Sequence, residues 1–172
     1  DEYGIEYEDK VEQFVIEEVV KEAEIKRSYK EIQKELGQTG IEYLKTIERK
    51  RREIELGPHP ISQEEFLRLT KAYASSQKGY ILDHISIDHV VSHILDACEQ
   101  MTLISSHKFE NERMFLFSGT NLDTIYLLTV VVKEKDRLIQ VLFKGYSNKK
   151  EALDKFLNAC ADLVEYTTMV MS

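Results

Sequence analysis

Ile125-Tyr126-Leu127-Leu128-Thr129-Val130-Val131-Val132 is the stretch whose reading settles the architecture. Its β-branched and aromatic residues fall on both parities, which is the pattern of a strand buried on both faces. A second apolar run, Leu138 to Phe143, follows the charged segment Lys133-Glu134-Lys135-Asp136, so the two read as a hairpin. Upstream, Arg113-Met114-Phe115-Leu116-Phe117 is strand-like, and Gly119-Thr120-Asn121 turns it into the central run. The expectation is a three-stranded antiparallel sheet with strands at about 112–118, 124–133 and 137–144. Leu127, Thr129 and Val131 line one face of the central strand, and Tyr126, Leu128, Val130 and Val132 line the other.

Helical patterns flank this sheet. Ile87, Val90, Val91, Ile94, Leu95, Cys98 and Met101 recur at spacings of three and four, predicting a helix over 84–101. Leu153, Phe156, Leu157, Cys160, Leu163 and Val164 predict another over 148–166, opened by Asn148 and Glu151. Ser62 and Glu65 form a capping box for a helix over 62–78 carrying Phe66, Leu69 and Tyr73, with Ala74 to Gly79 as its end. The tail from Thr167 to Ser172 is rich in β-formers and reads as an edge strand or a fraying end. The C-terminal unit is thus α-β-β-β-α. Its two flanking helices can cover one sheet face; the other must meet the preceding helices, further strands or a second subunit.

The N-terminal third reads differently. Val11, Val15, Val19, Ile25, Tyr29, Ile32 and Leu36 mark helix over 6–36, and Ile25, Tyr29, Ile32 and Leu36 repeat at four, three and four, a short coiled-coil seam. Thr39 and Glu42 cap a further helix that runs to Leu56, where Gly57-Pro58-His59-Pro60 stops it. The fold class is therefore α+β, with a long N-terminal helical arm over 1–57 and an α+β domain over 58–172. The arm is split by charge: residues 1–24 hold ten acids against two bases, and residues 26–52 hold nine bases against four acids. Such a segment suits pairing with a charged partner or with a copy of itself.

Composition narrows the function. The 172 residues are 42% hydrophobic and 31% charged, a globular balance, and only two prolines and seven glycines interrupt regular structure. No apolar run approaches the ~18 residues of a membrane span. A net charge of -8 repels nucleic acid and anionic membrane at long range. The start at Asp1 leaves both a cytoplasmic and a processed, exported origin open.

Three groups of residues could carry chemistry or contact. His89 and His93 are four apart, and Asp96 lies three beyond, so two imidazoles and a carboxylate share the polar side of one helix, a spacing that suits a divalent metal ion. Arg49-Lys50-Arg51-Arg52 is a basic run that suits an acidic partner or the negative end of its own helix. Gly145-Tyr146-Ser147-Asn148-Lys149-Lys150-Glu151-Ala152, opening the last helix after three strands, resembles a double-stranded-RNA-binding domain. That resemblance implies phosphate contacts by Lys149 and Lys150. Leu153 stands where the family has a further lysine, and residues 84–166 are net acidic. Cys98 and Cys160 sit in apolar stripes as core thiols. With no Gly-rich phosphate loop, nucleophile elbow or Cys-x-x-Cys, the leading expectation is a non-enzymatic protein-interaction or scaffold module. It would self-associate through the seam Ile25, Tyr29, Ile32, Leu36, the basic run, or the sheet. An RNA-binding module and a small metal-dependent enzyme are the alternatives.

Overall fold

The structure, a computed structural model, describes residues 40–52 and 55–170. The seam residues Ile25, Tyr29, Ile32 and Leu36 lie outside the described residues, as does most of the expected arm. Among the described residues the chain forms α1 (Gly40–Arg52), β1 (Gly57–Pro58), α2 (Gln63–Ala72), β2 (Ala74–Asp83), α3 (Ile87–Ala97), β3 (Thr102–Phe109), β4 (Glu112–Asn121), β5 (Thr124–Lys135), β6 (Leu138–Ser147) and α4 (Lys150–Val170). The class is α+β, built on one antiparallel six-stranded sheet.

The three-stranded expectation is corrected by this sheet. β4, β5 and β6 form the anticipated meander, but β2 pairs along all of β6, from Ala74 opposite Ser147 to Asp83 opposite Leu138. The outer side of β4 carries β3 along most of its length and β1 at Gly119 and Thr120. The helix expected over 62–78 ends at Ala72, because Tyr73 already has extended backbone and its N–H closes the last turn on Leu69 O. The small polar residues after it resemble a helix end, yet Tyr80 and Leu82 alternate into the core as a strand. β3 also lacks clean alternation, since a bulge between Leu103 and Ser105 shifts the register midway. The helix expected over 84–101 is shorter: His84 takes a left-handed φ of 57°, and Ser86 caps the helix by accepting the His89 N–H. At the C-terminus α4 runs through Thr167, whose hydroxyl donates to Leu163 O, so the tail reaches Val170 as helix instead of an edge strand.

β5 is enclosed from both sides, with Leu127, Leu128, Val130 and Val132 at 0% exposure. Tyr126, Leu128, Val130 and Val132 meet α3 through Val90 and Ile94 and α4 through Leu153, Leu157, Leu163 and Val164. Each fully buried Val, Leu or Ile here contributes about 1.5–3 kcal/mol, which makes this layer the main source of stability. α1 joins the same layer through buried Ile47. On the opposite face, Phe66 and Leu69 of α2 close over Leu116, Leu127 and Tyr146. Ile81, Met114, Val131 and Leu142 continue that face beyond α2 and are also buried. No described helix is long and apolar enough to cross a membrane.

Candidate functional site

α3 presents two sides. Val90 and Ile94 bury against the sheet, while His89, His93 and Asp96 lie on the side turned toward α1. The helical spacing sets His89 Nε2 and His93 Nε2 3.2 Å apart, with ring centroids at 4.8 Å and planes at 72°. One ring must donate and the other accept across that distance, so at least one imidazole of the pair is neutral. Burial, reinforced by His89 and Arg51 and opposed by Asp96, lowers the pKa of His93 below its usual range. The neutral ring is thereby favoured.

Asp96 does not join the two rings. Its carboxylate accepts from the Arg51 guanidinium of α1, which also reaches Glu99 at 3.9 Å. Among the described residues no group of three His, Cys, Asp or Glu side chains stands assembled for a metal ion. Spacing along one helix brought the histidines together; the contact that takes Asp96 away comes from 45 residues earlier in the chain.

The basic run is divided by the helix that carries it. Lys50 Nζ lies 5.6 Å from the Tyr166 ring centroid, Arg51 holds Asp96, and Arg49 and Arg52 are exposed. All four occupy the last turn of α1, where cations offset the helix dipole. Lys149 and Lys150 likewise separate. Lys149 Nζ donates to Asp123 Oδ1 at 2.8 Å, an interaction that raises the lysine pKa and lowers that of the carboxyl, while Lys150 is exposed. The sheet beneath them has six strands, so the fold implied by the RNA-binding resemblance is not the one this chain builds. Asn148, read as a helix cap, instead bridges the β4–β5 turn: its Oδ1 accepts the Ile125 N–H at 2.8 Å and its Nδ2 donates to Asp123 O at 2.9 Å.

Cys98 and Cys160 are both buried free thiols. Burial pushes Cys98 up to about 12 and Cys160 well above its normal range, so neither supplies a thiolate near neutral pH.

One surface was not legible as a site in the sequence. β3 is an edge strand; among the described residues its outer side has no strand partner. Four of its residues, Ser106 to Phe109, are exposed in succession. It also carries Leu103 at 44% and Phe109 at 48% exposure, two of the four large hydrophobics exposed among the described residues. The β3–β4 hairpin beneath is held by Arg113, itself 8% exposed, whose Nη1 donates to Phe109 O at 2.6 Å and Glu112 O at 3.0 Å. Its Nη2 lies 3.7 Å from Asp88 Oδ1 in the first turn of α3, linking the hairpin to that helix. The sequence reads Leu103 to Ser106 as a short strand or a loop, and the bulge at Ile104 breaks the alternation that would have marked the whole of β3.

No family model and no curated protein matches the chain. Among solved structures, a crystal structure of a hypothetical protein from Helicobacter pylori is similar over 54% of this chain and 87% of that one, at 14% identity and a TM-score of 0.44.

Proposed function

We propose that this protein is a non-enzymatic interaction module that self-associates by joining the β3 edges of two copies. The observation that supports this reading is the edge itself. An unpaired strand presents a row of N–H and C=O groups that a second strand can satisfy, and two exposed apolar side chains add area to the contact. Beyond the bulge, Ser105 to Phe109 is regular enough to pair. Antiparallel pairing centred on His107 sets Phe109 opposite Ser105 of the second copy and Lys108 opposite Ser106, so the two lysines do not face one another. The bulge and Lys108 then limit the edge to one register instead of open-ended stacking. Both faces of the sheet carry buried apolar rows, which leaves its edges as the natural place for strand addition.

Size-exclusion chromatography with light scattering over a concentration series tests the reading. The wild-type mass should rise toward that of a dimer, and the Leu103→Lys/Phe109→Lys variant should stay monomeric with an unchanged circular dichroism spectrum and melting temperature. Equal masses for the two proteins at every concentration would overturn it.

A further inference from the structure

We infer that His89, His93 and Asp96 form a latent site for a borderline divalent metal ion such as Zn²⁺, and that Arg51 is its built-in competitor. Two imidazole nitrogens bound to one tetrahedral ion, each at about 2.0–2.1 Å, stand about 3.3 Å apart. His89 and His93 already hold their Nε2 atoms 3.2 Å apart, so chelation needs reorientation of the rings and little movement of the helix. Both lone pairs are required. The ring that donates in the metal-free pair therefore shifts its proton from Nε2 to Nδ1, and neutral rings release no net proton on binding.

Asp96 sits one turn beyond His93 on the same helix, within reach of a third coordination position, with solvent filling the rest. In the metal-free protein its carboxylate belongs to Arg51. The guanidinium occupies one of the two carboxylate oxygens, Oδ2, and adds positive charge where a cation would sit. Arg51 has a second acid in Glu99, 3.9 Å away, so it can give up Asp96 without losing every partner. Metal binding at Asp96 and the Arg51–Asp96 pair therefore compete. An ion bound to α3 would thus shift Arg51 toward Glu99 while α1 stays anchored through Ile47.

The charges around the rings come from both packed helices. Asp96 and Glu99 on or just beyond α3 favour a cation, and Arg51 on α1 opposes one. The competition gives the inference a signature that an adventitious histidine pair would lack. Isothermal titration of tag-free full-length protein with Zn²⁺ alone, at neutral pH, should show one site. His89→Gln/His93→Gln should weaken it at least tenfold, and Asp96→Asn should weaken it several-fold. Arg51→Gln should tighten it three- to tenfold, although it removes a contact of the folded protein. Thermal melting without metal checks that each variant is folded. Unchanged binding in the double histidine variant, or binding by Arg51→Gln that is unchanged or weaker, would overturn the assignment. A monomeric light-scattering profile bears on the β3 edge and leaves this test untouched.

Discussion

Cys98 and Cys160 carry 2% and 1% of their possible exposure, and burial raises both thiol pKa values, to about 12 for Cys98. Thiol reagents attack the thiolate, so the folded protein should show no fast-reacting thiol at pH 8, and denaturant should release two. Fast labelling of either cysteine in the native state would contradict this. The core role of these cysteines was legible because each sits inside an apolar helical stripe. The partners of the polar residues were not. His89 and His93 are neighbours by helical arithmetic alone, whereas Asp96 meets Arg51 only because α1 packs beside α3, and no local pattern announces such a contact. Arg113 is the sharpest case: a surface-looking charge between a turn and an apolar run proves to be buried and tied to two carbonyls and the α3 N-terminus.

The strands divide by how cleanly they alternate and how they end. β5 was readable because both of its faces are apolar, and β4 and β6 followed from it. β2 was not, because Ala74-Ser75-Ser76-Gln77-Lys78-Gly79 is small and polar as helix ends are, and only Tyr80 to Leu82 betray the strand. The β5–β6 hairpin shows a different mismatch. Asp136 and Arg137 both take positive φ, 53° and 68°, the combination that a two-residue type I′ turn requires and that Asn-Gly supplies best. Asp tolerates that region, but Arg does so at a cost of about 1–2 kcal/mol. Arg137→Gly relieves this while adding about 0.5–1 kcal/mol of backbone entropy to the unfolded chain. The net is a gain near 0.5–1 kcal/mol, which should raise the melting temperature by about 1–4 °C. A lower melting temperature would show that the Arg137 side chain makes a contact worth more than the strain.

At the scale of the molecule, one six-stranded sheet organises everything described. α3 and α4 close one face, α2 closes an end of the other, and the β3 border is left exposed with Leu103 and Phe109. That border is the surface on which the proposed self-association rests. Hydrogen exchange of backbone amides, read strand by strand at low and high protein concentration, examines it where it acts. Between Ser105 and Phe109, the amides that point away from β4 should exchange readily in dilute solution and become protected as concentration rises, while those of β5 stay slow throughout. If protection on β3 is the same at both concentrations while the molecular mass increases, the copies meet elsewhere and the strand-joining model is wrong.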